Sequence, residues 1–263
     1  MKLDGARVMI TGASRGIGRQ MAGDFAAAGA RVALVARSAD ELGKLAADLG
    51  GDAYPADLGD PAQVEGLFDR IDDDGPIDVL VNNAGVENAA SFRHSDPASI
   101  AQLYQINLVA PTELSRQALN RMVPRHRGRI VNVSSLGSVG ATPGLVAYCA
   151  SKAGLSHFTA GLRSELKGTG VGTTLVEVGP VLTGMLDNVH AYGPTARAFR
   201  RGARLGLLVD LDPEVVSAAV VAAVRRERRH VRLPRRAAPL MIIGEVPRRF
   251  TEFLLVGVDA HRP

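Results

Sequence analysis

The chain has 263 residues, 46% of them hydrophobic and 4% aromatic with no Trp, which suits one large α/β unit with an ample core. Its single cysteine, Cys149, excludes an internal disulfide and agrees with a reducing compartment, and no apolar run reaches the roughly 18 residues of a bilayer span. The formal net charge is +4, but residues 225–236 alone hold seven arginines and one glutamate, so the rest of the chain is slightly acidic and the overall balance says little about partners.

The N-terminal MKLDGARVMITG has no apolar h-region and runs straight into a strand, so no secretory signal and a cytoplasmic location are expected. Arg7 to Thr11 reads as a buried strand. It leads into Gly12-Ala13-Ser14-Arg15-Gly16-Ile17-Gly18 and a helix from about Gly16 to Ala28. Glycines between a strand and a helix let backbone amides approach a pyrophosphate at the helix N-terminus. The spacing G-x-x-x-G-x-G differs from the common dinucleotide fingerprint, but the strand before and the helix after it are the required context. A second strand, Arg31 to Ala36, ends in Arg37-Ser38 instead of an acidic residue that would bind a ribose 2′-hydroxyl. Arg37, with Arg15, suits a 2′-phosphate, so NADP(H) is favoured and NAD(H) is the alternative.

A helix over Ala39 to Leu49 and a strand near Ala53 to Ala56 follow, then Asp57-Leu58, which this topology sets beside the adenine edge. One helix is expected from Pro61 to Ile71, with Asp72-Asp73-Asp74-Gly75 as its solvated end and not a metal site. Ile77 to Val81 is the fourth strand, followed by Asn82-Asn83-Ala84-Gly85, small and amide residues that hold a loop close to a cofactor. A long helix covers about Pro97 to Val123 with a break near Pro111. Its polar Asn107, set among apolar neighbours, either caps or bends the helix or holds a water.

Arg129 to Val133 is the fifth strand and leads to Ser134 and Ser135. Thirteen residues beyond Ser135 stands Tyr148, and four further on Lys152, on the same face of the next helix. A phenol with a reference pKa of about 10 is a poor base, and an ammonium one turn away favours its ionised form. With a hydroxyl to bond the substrate oxygen, the three groups can move a proton on and off an alcohol while a hydride moves elsewhere. The neighbouring Cys149 reads as a small packing residue. Val171 to Val178 is the sixth strand and ends in Gly179-Pro180-Val181-Leu182-Thr183.

This alternation, without repeat or linker, predicts an α/β fold: a doubly wound, Rossmann-type parallel sheet of about seven strands with helices on both faces, in a single domain over 1–263. The glycine turn, Arg37, Asp57, Asn82, Ser135 and Gly179 all fall at the carboxyl ends of strands, where such sheets bind their ligand.

The chain resembles the short-chain dehydrogenase/reductase family over about residues 5–234, through TGASRGIG at 11–18, NNAG at 82–85, Asn107, Ser135, Tyr148 and Lys152. The resemblance implies an oxidoreductase that interconverts a carbonyl and a secondary alcohol. Tyr148 would be its general acid/base. Lys152 would lower the Tyr148 pKa and bind the nicotinamide ribose, Ser135 would orient the substrate oxygen, and Asn107 would support a proton relay through water. Cofactor contacts are implied for Gly12, Ser14, Arg15, Gly16, Ile17, Gly18, Arg37, Ser38, Asp57, Leu58, Asn83, Ala84, Gly85, Tyr148, Lys152, Gly179, Val181 and Thr183, the last two toward the carboxamide. The resemblance also implies a homo-oligomer formed through the helices around Asn107 and Tyr148.

Two departures stand out. The family's Pro-Gly is Val178-Gly179 here, with Pro180 one place later, which predicts a small change of loop shape. In place of a terminal V-D-G-G, the chain has His230-Val231-Arg232-Leu233-Pro234 and a C-terminal extension over 235–263.

Residues 184–211 are expected to form a flap over the substrate. Met185, Leu186, Val189, Tyr192, Phe199 and Leu205 make it apolar, His190 reads as a loop residue, and Arg197, Arg200, Arg201 and Arg204 are interspersed. Leu136, Val139 and Leu145 are further wall candidates, so the expected substrate is a lipophilic alcohol or ketone: steroid-, acyl- or polyketide-like. In the extension, Pro239–Ile243 and Phe250–Val258 are apolar beside Arg235, Arg236, Arg248 and Arg249. They are read as packing, a lid or a subunit contact, with docking on an anionic membrane surface as the other reading. Without a recognition motif or an aromatic platform, the arginines do not read as a nucleic-acid surface. A non-catalytic NAD(P) sensor is the alternative of another class, but it would need no proton-transfer group.

Overall fold

The computed structural model describes residues 1–206, 208–239, 241–243 and 246, without the side chains of residues 185, 187 and 190. Seven parallel strands form one sheet: β1 (Arg7–Thr11), β2 (Arg31–Ala36), β3 (Asp52–Pro55), β4 (Val79–Asn82), β5 (Gly128–Ser135), β6 (Val171–Val178) and β7 (His230–Leu233). Their order is β3-β2-β1-β4-β5-β6-β7, so the winding reverses between β1 and β4 and opens a crevice at their carboxyl ends.

Strand side chains alternate faces, and this sheet is buried on both. Val8 and Ile10 of β1 join one core with Met21 and Phe25 of α1 (Gly16–Ala27), Leu42 of α2 (Ala39–Leu49) and Val220 of α10 (Pro213–Arg225). Met9, between them, points the other way. Its core holds Phe68 of α4 (Leu67–Asp73), Leu114 of α6 (Ala110–Met122) and Leu162 of α7 (Val146–Glu165). At about 1.5–3 kcal/mol for each large buried side chain, these two layers fix the strand ends that carry the site.

Three local expectations are corrected. The helix from Pro61 is two pieces, α3 (Pro61–Val64) and α4, because Glu65 is extended and Gly66 sits at φ 65°. Pro111 does not interrupt the helical path: Val109 and Ala110 before it keep right-handed helical dihedrals, and α6 runs on to Met122. The irregularity comes earlier, as a π-helical turn over Gln105–Val109 that joins α5 (Pro97–Tyr104) to α6 and buries Asn107 completely. Asp72 is no solvated helix end. It is buried, accepts the Ile77 N–H at 2.7 Å and pairs with Arg125 at 3.0 Å, while no metal-binding cluster occurs among the described residues.

Two further helices, α8 (Gly184–Ala191) and α9 (Gly193–Arg204), fill the flap, and no helix among the described residues is long and apolar enough to cross a membrane.

Candidate active site

The glycine turn is shaped by contact with the loop after β4. Gly12 has φ 67°, and a Cβ on it would stand 2.8 Å from Ala84 Cα. A Cβ on Gly18 would collide with Gly12 O and lie 2.6 Å from Asn83 Nδ2. Thr11 Oγ1 accepts from the backbone N–H of Asn83 (3.0 Å) and Ala84 (3.1 Å), and Asn83 Nδ2 donates to Thr11 O at 3.0 Å. The first turn of α1 has no side-chain cap and no acidic residue, so its amide groups and positive dipole end are available to an anion. Backbone approach of this kind fits a dinucleotide pyrophosphate.

From that turn the crevice widens into one continuous cavity of about 1270 Å³. At one end stand Arg15, Arg37 and Ser38, with Asp57 and Leu58 alongside. Arg15 and Arg37 are exposed, and neither makes an ion pair with a described residue. Asp57 Oδ1 accepts the Gly59 N–H at 2.9 Å. Gly179, Val181 and Thr183 line the cavity as well, with Thr183 Cγ2 3.2 Å from where a Cβ on Gly16 would stand. A Cβ on Gly179 would come within 3.0 Å of Pro234 Cδ, so the glycine is retained despite the shifted proline.

At the centre lie Ser135, Tyr148 and Lys152. Ser134 Oγ donates to Lys152 O at 3.0 Å and shares a 2.8 Å hydrogen bond with Ser156, which locks the end of β5 onto α7. That lock sets Ser135 beside Tyr148: Ser135 Oγ and Tyr148 Cε1 both lie 3.5 Å from where a Cβ on Gly137 would stand, and Ser135 Oγ accepts the Gly137 N–H at 3.1 Å. Lys152 Nζ donates to Val133 O at 3.0 Å and stands 5.9 Å from the centre of the Tyr148 ring.

Burial dominates the electrostatics of this group. It pushes the Tyr148 phenol up to about 12, against the lowering effect of the Ser135 hydrogen bond, and pushes Lys152 down to about 8. At neutral pH the pair is a neutral phenol and a cation, an arrangement that can donate a proton to a developing alkoxide.

Every cofactor-contact and catalytic residue expected from the sequence lines the cavity except Asn107. Its side chain is spent inside the protein: Oδ1 accepts the Val86 N–H (2.9 Å), and Nδ2 donates to Val86 O (2.8 Å) and to Ser151 Oγ (3.1 Å). Ser151 Oγ donates in turn to Tyr148 O at 2.7 Å. The π-helical turn thus ties the β4 loop to the first turns of α7.

Beyond Tyr148 the wall is apolar. Leu145, Cys149 and Val189 form a buried cluster against Tyr148, Ala89 and Phe199, and burial pushes the Cys149 thiol up, away from the reactive thiolate. Leu136, Val139 and Leu186 line the wall as expected, whereas Leu205 is 74% exposed and lies outside it. Tyr192 packs beneath Gly144, where a Cβ would lie 2.6 Å from its ring. Ala237 and Ile243 bring the extension to the cavity, and Met241 is buried behind them. The expectations for Met185 and His190 concern side chains outside the described residues, as do those for Arg248, Arg249 and Phe250–Val258.

The chain matches the family described as short chain dehydrogenase over residues 6–192. It belongs to the short-chain dehydrogenase/reductases. Among its relatives, a protein named ketoacyl reductase HetN from Nostoc sp. is 36% identical over 236 residues, 87% of this chain and 78% of that protein. A short-chain dehydrogenase from Sphingobium yanoikuyae, solved in complex with NADPH, superposes with a TM-score of 0.79 at 27% identity over 98% of both chains. A bulky-bulky ketone specific alcohol dehydrogenase from Comamonas testosteroni has a TM-score of 0.78 at 25% identity, over 98% of this chain and 96% of that one. As a short-chain dehydrogenase/reductase, the protein carries out NAD(P)-dependent oxidoreduction between CH–OH and C=O groups of small molecules.

The structure adds residues to this dehydrogenase/reductase site that the sequence did not single out. Glu41, in the first turn of α2, lines the Arg37 end, and Glu87 lines the Tyr148 end. Glu87 falls two residues after the NNAG stretch, which was the available signal. Gly202 and Leu208 line the flap with no distinguishing mark in the sequence.

Proposed function

We propose that this enzyme is an NADP-dependent reductase of lipophilic ketones, working through Tyr148, Ser135 and Lys152. The observation that carries the reading is the single cavity, which joins Arg15 and Arg37 to Ser135, Tyr148 and Lys152 and to an apolar wall beyond them. The bound nicotinamide supplies or accepts the hydride. The chain's own residues do the rest. Ser135 Oγ holds the substrate oxygen, Tyr148 gives that oxygen its proton, and Lys152 supplies positive charge behind the phenol and a donor to a ribose hydroxyl. The glycine turn with Ser14 and Ile17 holds the pyrophosphate, and Asn83 to Gly85, Asp57 and Leu58 flank the nucleoside parts. Gly179, Val181 and Thr183 hold the carboxamide side. Asn107 is a positioning residue. Because its amide is fully engaged, a relay through it would use its main-chain carbonyl.

Arg37 and Arg15 favour a 2′-phosphate. Glu41, lining the same end, favours the second reading, NAD, since a carboxylate can accept from ribose hydroxyls. Titration of NADPH and NADH against wild type and Arg37→Ala separates them. Tighter NADPH binding that Arg37→Ala abolishes, a loss of about tenfold or more, supports the phosphate clamp. Equal or tighter NADH binding by wild type overturns it. The family's association through the helices around Asn107 and Tyr148 suits the exposed Val109 and Val146, and sedimentation would count the subunits.

A further inference from the structure

One charged side chain in the substrate half takes no part in the chemistry just described. Glu87 follows the loop after β4, is partly buried and lines the cavity. Its Oε1 accepts a 3.1 Å hydrogen bond from Asn188 Nδ2 of α8, while Oε2 has no hydrogen-bond partner among the described residues. Burial raises the Glu87 pKa, and its charge in turn raises that of Tyr148, so the two lie within electrostatic reach.

The other charged residues lining the cavity stand elsewhere. Arg15, Arg37, Glu41 and Asp57 belong to the far end, and Lys152 sits behind the phenol with Nζ on Val133 O. Arg197, Arg200, Arg201 and Arg204 of α9 do not line it. Despite the net charge of +4, the described wall around an incoming substrate is therefore apolar with one negative group. A tether to Asn188 alone would need only one neutral acceptor. A partly buried carboxylate whose second oxygen is not engaged by a described residue can accept from a donor in the cavity.

We propose that Glu87 selects substrates by charge. It favours ketones and alcohols that carry an ammonium or hydroxyl donor away from the reacting carbon, and it disfavours those that carry a carboxylate there. The inference rests on the reductase reading of the same cavity.

The test uses three acetophenones at pH 7.5: 4-ethylacetophenone, 4-(aminomethyl)acetophenone and 4-acetylbenzoate. Each is measured with wild type, Glu87→Gln and Asn188→Ala, by kcat and KM separately and by Kd from quenching of NADPH emission in the binary complex. Glu87→Gln keeps an acceptor for Asn188 and removes the charge, whereas Asn188→Ala removes the tether and keeps the charge. The preference for the cation over the anion should fall about tenfold or more in Glu87→Gln, in Kd and KM, and stay within about threefold of wild type in Asn188→Ala. An unchanged preference in Glu87→Gln overturns the proposal, as does its loss in Asn188→Ala alone or failure of the cation to bind wild type. If the Kd preference shifts but no ketone is reduced, charge selection stands and the reductase reading falls.

Discussion

Under the glycine turn, backbone meets backbone: Gly12 and Gly18 lie against Ala84 and Asn83, and Thr11 Oγ1 collects two amide groups from the next loop. Beyond Tyr148, side chains from α7, α8, α9 and the extension make the wall, with Leu145, Val189 and Phe199 in van der Waals contact. The first half has no room for a single added carbon, while the second is made of side chains that can be exchanged for others of similar size. A cofactor shared by a whole family demands a fixed cradle. A substrate demands only a pocket of the right shape and polarity, so the same fold can change its substrate without disturbing its cofactor.

The largest expected effect falls where the halves meet. Tyr148→Phe should lower kcat by about 10²–10⁴ while NADPH affinity, read by fluorescence, stays near wild type. Retained turnover would remove Tyr148 from the proton step.

Next comes Gly18→Ala. Its Cβ would meet Gly12 O and Asn83 Nδ2, backbone and a well-tethered amide, so we expect about 1–3 kcal/mol of destabilisation in a denaturation curve and at least about tenfold weaker cofactor binding. Gly144→Ala is its counterpart on the other side. With φ 88° and a Cβ 2.6 Å from the Tyr192 ring, it should displace the start of α9 and raise KM for a bulky ketone several-fold, leaving cofactor Kd within about twofold of wild type. A change in cofactor Kd as large as in Gly18→Ala would erase the distinction between the halves.

The smallest effects are pH effects. Tyr148, at about 12, keeps its proton throughout the working range, and Lys152 is cationic below about 8. Ketone reduction should therefore hold up to about pH 8 and decline above it, whereas alcohol oxidation, which needs the phenolate, should rise with pH. Stability carries its own signature. Between about 8 and the ordinary lysine value of 10.5, the unfolded chain binds more protons at this site than the folded one, so stability rises with pH across that window. In Lys152→Met that rise should be missing from thermal melts.

The sequence by itself determined the doubly wound parallel sheet and the bounds of several of its strands. β1, β2 and β6 begin and end at the residues expected, because a fully buried parallel strand is a short apolar run and its stop is a glycine or polar turn. The glycine turn, Asn83 to Gly85, Ser135, Tyr148 and Lys152 were legible because each depends on a local backbone shape or on spacing along one helix.

Only the tertiary structure decided how Asn107 is used. A π-helical turn has no local signature, and the partners of its amide, Val86 and Ser151, are 21 and 44 residues away. The same holds for the pKa of Tyr148, whose leading cause is burial, a property of the assembled structure that no spacing along the chain records. It holds too for Glu87 and Asn188, 101 residues apart, which meet only because the fold sets α8 beside the loop after β4. Periodicity records which face of an element is buried. It carries no information on which distant element covers that face, and the substrate wall is made of such coverings.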